Sequence, residues 1–315
     1  MLLANHVAIL PAIDCFFSQG WLQAVIVTDK LNGIHLQIKD LCIHHQIPFH
    51  QIDHDGLKTY LPNLFQQLEP DLVFMCGFSY RIPRELYSAP PLGFYNIHFS
   101  LLPAYRGPDP LFWQIKNGET TGGITIHQVE HDFDAGAVVA RLEIPFMRNE
   151  NWGICDGRYS RAVFNLMVPL INTLNQGKPL PTLPVLSSNQ SYFSRPAPTD
   201  LMIDWEAYSS RVIENLVNAC NPAYGGALTF YKGQPVRILE VMLVHQDQHM
   251  EVAAGTIIFA DAQYGVIVQC ADQQLLRLNI VKLNEGYFTG FKLFAMGVKV
   301  GECFDGGTVN QQLVC

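Results

Sequence analysis

The sequence predicts an α/β protein in two parts: an N-terminal Rossmann-like domain built on a mostly parallel sheet, followed by a small, OB-like β-barrel. Three observations carry this. Apolar runs of strand length alternate with helical periodicity through the first 120 or so residues, the pattern of βαβ units with helices on both faces of a sheet. A stretch rich in proline and serine, KPLPTLPVLSSNQSYFSRPAPTD at 178–200, then interrupts all periodicity. Beyond it come short strands bounded by glycine and turn residues, as in a small barrel. The expected boundaries are 1–178 for the first domain, 179–200 for a linker and 201–315 for the second domain.

Each element follows from its residues. MLLANHVAILPA opens with only a stub of a strand before a helix or loop. WLQAVIVT, 21–28, is a buried strand, Ile34–His45 has helical spacing, and Ile47–Ile52 is a short strand. Leu57–Leu68 is periodic like a helix, and Pro70 and Asp71 introduce the strand LVFMC. Gly93–His98 forms a further strand and Leu111–Lys116 a helix, while ITIHQVEHDFDAGAVVA, 124–140, is a strand, an acidic turn and a second strand. Helical periodicity returns over Tyr159–Leu174 and stops at Gly177. Past the linker, WEAYSSRVIENLVNAC resembles one amphipathic helix, and GALTFY, QPVRILEVMLV, AGTIIFA, GVIVQCA and LLRLNIVKL are strands.

Composition narrows the function. A chain of 315 residues with 49% hydrophobic and 15% charged content buries a sizeable core and is not disordered. A net charge of −8 argues against a broad footprint for nucleic acid or an anionic membrane. The eight cysteines, at 15, 42, 76, 155, 220, 270, 303 and 315, show no metal-ligand spacing and suit a reducing, cytoplasmic setting. The apolar N-terminus lacks a basic segment and is broken by Pro11 and Asp14, so neither a signal peptide nor a membrane span is expected. HHQIPFHQIDHD, 44–55, invites a metal, but His44 and His45 fall at the end of a helix while Pro48–Asp53 alternates like a strand, so the imidazoles point in different directions and no metal site is expected.

One stretch asks for chemistry. In GFYNIHFSLLPAYRGPDPLFW, 93–113, Asn96 and His98 are two apart, so on a strand both project from one face, at the carboxyl end where ligands of parallel sheets sit. A buried histidine satisfied by a neighbour is the plain alternative. The prolines and glycine of SLLPAYRGPDP make a rigid loop beside that strand end, and Asp134 falls where the acidic turn must tighten, a position an ordinary turn aspartate also fills.

With NIHFSLLPAYRG and DFDAG in view, the chain resembles the formyltransferases that use 10-formyltetrahydrofolate, a family that includes methionyl-tRNA formyltransferase, glycinamide ribonucleotide formyltransferase and amino-sugar formyltransferases. CGFSYRIP at 76–83, IDW at 203–205, NPAYGGA at 221–227 and VGECF at 300–304 extend the likeness over nearly the whole chain. The resemblance implies a catalytic trio of Asn96, His98 and Asp134. When an amine attacks the formyl carbon, Asn96 would hold the developing oxyanion, and His98, its pKa raised by Asp134, would polarise the formyl oxygen and relay a proton. It also implies that the pterin lies against Phe78, Tyr80 and Ile82 and against His131, Asp132 and Phe133. The first three are equally ordinary packing residues. Ser100 and Arg106 would shape the substrate mouth, the alternatives being a turn hydroxyl and a solvated charge.

The resemblance names the donor, not the acceptor. Where methionyl-tRNA formyltransferase carries a long basic insertion, this chain has TDKLNGIHLQIKD, with two lysines. From residue 201 onward, carboxylates (Asp204, Glu206, Glu214, Glu240, Asp247, Glu251, Asp261, Asp272, Glu285, Glu302 and Asp305) outnumber cations (Arg211, Lys232, Arg237, Arg277, Lys282, Lys292 and Lys299). The expectation is therefore a small-molecule or carrier-bound primary amine, for example a nucleotide-linked amino sugar or an aminoacyl group. The alternatives are methionyl-tRNA, water in a 10-formyltetrahydrofolate hydrolase, and a non-catalytic folate-binding module. The sequence assigns no oligomeric state.

Overall fold

The structure is a computed structural model that describes residues 1–29, 33–186, 190–245 and 251–306. Parts of three stretches discussed above lie outside the described residues: Lys30 to Asn32 of TDKLNGIHLQIKD, Ser187 to Asn189 of the expected linker, and Asp247; so does Cys315. The chain forms two compact units. The first comprises Met1–Pro110, Thr121–Pro145 and Asp156–Phe193, and the second Leu111–Thr120, Phe146–Cys155 and the residues from Ser194 onward.

In the first unit, β1 (Leu2–Ala4), α1 (Leu10–Ser18), β2 (Val25–Thr28), α2 (Gly33–His44), β3 (Phe49–Ile52), α3 (Gly56–Leu68), β4 (Val73–Cys76), α4 (Arg84–Tyr87) and β5 (Phe94–His98) alternate as expected. Past Pro110, α5 (Pro110–Lys116) belongs to the second unit; β6 (Thr121–Gln128) and β7 (Val138–Pro145) complete the sheet of the first, and α6 (Trp152–Asn175) is part of the first unit from Asp156 onward. The strand order is β3-β2-β1-β4-β5-β6-β7, parallel as far as β5 and antiparallel beyond it. The stub at the N-terminus is β1, only three residues long yet central, with Leu2, Leu3 and Ala4 all buried between β2 and β4. A strand covered on both faces shows no polar alternation, which is why β1, β2 and β4 are continuous apolar runs. Helix α3 buries Leu57, Leu61, Leu64 and Phe65, a helical stripe that packs with Leu3, Ile26, Val73 and Phe94 of the sheet.

The chain winds outward from β1 to β3 and then returns to the other side of β1 with β4 and β5. The carboxyl ends of β1 and β4 thus form a switch point, where open α/β sheets bind ligands. Helix α6 begins at Trp152, about two turns before the expected Tyr159, because Asn151 accepts from the Ile154 amide (2.9 Å) and caps the earlier start.

The second unit holds α7 (Ser210–Cys220), β8 (Ala227–Tyr231), β9 (Gln234–Val244), β10 (Ile257–Asp261), β11 (Gly265–Gln269), β12 (Leu275–Leu283), β13 (Gly286–Thr289), α8 (Gly290–Ala295) and β14 (Phe304–Asp305). Its sheet is antiparallel, in the order β10-β11-β12-β9-β8-β14, with β13 folded back on β12. The sheet curls until its edges meet: Ile257 donates to the Glu302 carbonyl (2.8 Å) and Phe304 to that of Gly255 (2.9 Å). Helix α7 is shorter than the expected span from Trp205, because Ser209 is extended and its hydroxyl accepts from the Val212 amide (3.3 Å), starting the helix at Ser210. Among the described residues, no helix is long and apolar enough to cross a membrane.

Candidate active site

Strand β5 lies between β4 and β6, and the register sets Asn96 opposite His127 and His98 opposite Thr125. Asn96 and His98 therefore share a face with His127, and Asp134 reaches the same place from the turn between β6 and β7. Asn96 Nδ2 lies 3.3 Å from Asp134 Oδ1 and 3.3 Å from His127 Nε2. His127 Nε2 is 3.4 Å from the same carboxylate oxygen, and His98 Nδ1 3.8 Å. Both histidines are nearly closed to solvent, His98 at 5% exposure and His127 at 2%.

Backbone carbonyls assign the imidazole hydrogens. His98 Nε2 donates to the Tyr105 carbonyl (2.8 Å), which leaves Nδ1 as the nitrogen facing Asp134. His127 Nδ1 donates to the Gln128 carbonyl (2.9 Å), which turns Nε2 toward Asn96. Asp134 takes a left-handed backbone, φ 52°, and its Oδ2 accepts from the Gly107 amide (2.9 Å). Burial works against its charge, but His98, His127 and the Gly107 N–H hold the carboxyl well below the usual carboxylate range. For His98 the balance falls the other way. Burial pushes its pKa down, more than Asp134 and the Tyr105 carbonyl push it up, and Arg106 adds to the depression. This corrects the expectation of a raised histidine: excluding water from the imidazole outweighs the neighbouring carboxylate.

The rigid loop after β5 is held from two sides. Ser100 is fully buried, its hydroxyl donating to the Ala104 carbonyl (2.7 Å), while Thr125 Oγ1 donates to the Ser100 carbonyl (2.7 Å) and accepts from the Leu102 amide (3.2 Å). Ser100 thus shapes the loop from inside. Residues 191–193, in the stretch expected as a linker, strap the loop's outer side: Tyr105 N donates to Ser191 Oγ (2.8 Å), Arg106 N to the Ser191 carbonyl (2.9 Å), and Phe193 N to the Arg106 carbonyl (2.9 Å). The strap passes so close that a Cβ on Gly107, whose φ is 112°, would stand 2.0 Å from the Phe193 oxygen. Arg106 is half-buried beside this strap, and its Nε has no hydrogen-bond partner among the described residues.

The two loops expected to hold a pterin are joined. Arg81 places its guanidinium 5.0 Å from the centre of the Phe133 ring and donates to the His131 carbonyl, linking the loop after β4 to the β6–β7 turn. His131 and Asp132 are exposed, and Phe133 is 53% exposed. Ile82 is buried in the core cluster, with Phe78 and Tyr80 packed partly against it, and the Tyr80 hydroxyl donates to Asp29. Next to this loop, His6 at the end of β1 stands 2.8 Å from Asp156 of α6; burial opposes its charge, but Asp156 and Cys76 carry its pKa up to about 10. Sequence reasoning missed His127, His6, Asp156 and the Ser191–Phe193 strap. Only His127 left a trace, as a polar residue inside the apolar strand ITIHQV, and its facing Asn96 depends on a register that no local pattern states.

The donors and acceptors here suit transfer of an acyl group: an ionised carboxylate, a neutral imidazole with a free nitrogen and an amide gathered at one point. Comparisons with known proteins agree. Residues 26–168 match the family described as formyl transferase, and residues 197–298 match the formyl transferase C-terminal domain. The chain is 30% identical over 278 residues to methionyl-tRNA formyltransferase of Syntrophus aciditrophicus (strain SB), covering 81% of this chain and 87% of that protein. Its fold is similar to an N-formyltransferase from Helicobacter canadensis solved with folinic acid and dTDP-3-aminofucose: TM-score 0.65, 17% identity, 87% of this chain and 96% of that one. It is also similar to HypX from Aquifex aeolicus in complex with tetrahydrofolic acid, with TM-score 0.61, 19% identity and 89% of this chain covered. This chain spans about half the length of HypX, 48%.

Proposed function

Because the chain belongs to the formyl transferase family and is a formyltransferase, we propose that it moves the formyl group of 10-formyltetrahydrofolate to the primary amine of a small-molecule or carrier-bound acceptor. Nucleotide-linked amino sugars and aminoacyl groups are the leading candidates. The observation that carries this reading is the meeting of Asn96 and His98 at Asp134 Oδ1, 3.3 and 3.8 Å away.

In this reading the amine attacks the formyl carbon and forms the new C–N bond. The carbonyl oxygen gains negative charge, which an Asn96 N–H takes up. The nitrogen becomes positive and loses its proton to His98 Nδ1, the imidazole nitrogen free to act as a base, and Asp134 offsets the imidazolium that results. Collapse breaks the bond to folate N10, and the proton passes from His98 to that nitrogen. The folate lies between the loops that Arg81 joins: Phe78, Tyr80, His131, Asp132 and Phe133 contact the pterin, and Ile82 supports them from the core. Support comes from the Helicobacter canadensis and HypX structures, solved with folinic acid and with tetrahydrofolic acid. Arg106 faces the acceptor and pairs with an anionic group on it, such as a nucleotide phosphate, while Ser100 sets the loop that carries Arg106.

A second reading, methionyl-tRNA as acceptor, is favoured by the relative that is 30% identical. Charge weighs against it, since the whole chain stands at −8 and binding to tRNA depends on neutralising phosphates. The test is a screen of amines with 10-formyltetrahydrofolate, following tetrahydrofolate release and product mass. Charged initiator tRNA is expected to be neither formylated at a rate comparable to a small amine nor bound at low salt. Efficient formylation of it overturns the preference for a small acceptor, and formate release without any amine product makes water the acceptor.

A further inference from the structure

Asn96 Nδ2, Asp134 Oδ1 and His127 Nε2 form a nearly equilateral triangle with sides of 3.3, 3.3 and 3.4 Å. The two acceptors therefore subtend roughly 60° at the amide nitrogen, whereas its two N–H bonds diverge by about 120°. Both acceptors lie within reach of one hydrogen, and the other points away from them. The terminal torsion of an asparagine is broad and roughly two-fold, so an amide held at a single point can turn its oxygen where its nitrogen belongs. Here the carboxylate and the imidazole nitrogen both reject the amide oxygen. The imidazole does so because the Gln128 carbonyl keeps its hydrogen on Nδ1, 2.9 Å away.

We propose that His127 is a positioning residue for Asn96: with Asp134 it clamps one amide hydrogen, fixes the amide's orientation and leaves the second hydrogen free for the formyl oxygen. The proposal rests on Asn96 acting as the oxyanion donor. His98, Asp134 and the charge of Arg106 complete the ionisable surroundings of this cluster. Loss of His127 removes the aim but not the donor, so the rate should fall by roughly 10-fold, less than the 10²–10³ typical of removing such a donor outright.

The test has two arms. Histidine-selective ¹⁵N NMR of the unmodified protein, with His127 identified by its absence in His127→Gln, should show hydrogen on Nδ1, none on Nε2, and an Nε2 resonance that moves in Asn96→Ala. Kinetically, His127→Leu should lower kcat while leaving KM for the formyl donor near wild type, and His127→Gln, which restores an acceptor, should recover most of the rate. A proton on Nε2 overturns the proposal, as does a His127→Leu enzyme with wild-type kcat. Should the wild-type protein formylate no amine, the functional reading fails separately, and the NMR arm, which needs no turnover and no leucine variant, decides the clamp alone.

Discussion

Replacing Asp134 by asparagine keeps the shape of the side chain and removes its charge. The carboxylate is nearly buried, and it stands 3.8 Å from His98 Nδ1, the nitrogen that takes the proton in the proposed mechanism. Two unit charges at this separation interact by about 4 kcal/mol at an effective dielectric near 20. At 1.36 kcal/mol per decade this sets a ceiling of about 10³ on the rate that Asp134 supplies by stabilising the imidazolium. Asp134→Asn should therefore lose about 10²–10³ in kcat with KM for the formyl donor little changed, measured as tetrahydrofolate release with an acceptor from the screen. The Gly107 amide can still donate to the new side-chain oxygen, so the variant should fold. The stability comparison has a definite sign. Asp134 titrates below its unfolded value, so it stabilises the fold at pH above about 3.9, and this contribution is lost as pH falls further. Thermal melts should accordingly show the two proteins converging as the solution is acidified below that point. A folded Asp134→Asn protein with kcat within a few-fold of wild type would refute the assignment.

Three further outcomes follow from the geometry. Gly107→Ala puts a methyl group onto the Phe193 carbonyl at a φ of 112°, and should lower stability by roughly 2 kcal/mol or more in a chemical melt, with activity falling as the Asp134 contact is disturbed. His98, whose pKa is depressed in the fold, binds its proton more readily when unfolded; wild type should lose stability as pH falls below about 6.5, and His98→Asn should lack that component in melts at pH 7.5 and 5.5. Limited proteolysis should cut first within 179–186, where Val185 is 75% exposed, ahead of the strap that begins at Ser191; first cuts in β5 or the loop behind it would contradict this.

Local pattern was enough for much of the fold. Strand-length apolar runs identified β2, β4 and β5, helical spacing identified α2 and α3, and glycine-bounded runs identified β8 to β12, because these elements state their own periodicity. Short elements such as α4, β13 and β14 carry too few residues to do so, and their existence rests on the partners that bury or pair them. At the site, Asn96 and His98 declared themselves by a spacing of two on a strand, and Asp134 by its turn. What the sequence could not state was the meeting of that turn with β5, since only the β5–β6 register brings Asp134 and His127 to Asn96. Nor could it state the direction of the His98 pKa. The neighbouring carboxylate is visible in the motif, but the loss of solvent that outweighs it is a property of everything packed around the ring. The motif thus singled out the candidate groups for the proposed chemistry, while tertiary packing decided the direction of their pKa shifts and how they face one another, because both depend on residues distant in the chain and on the exclusion of water.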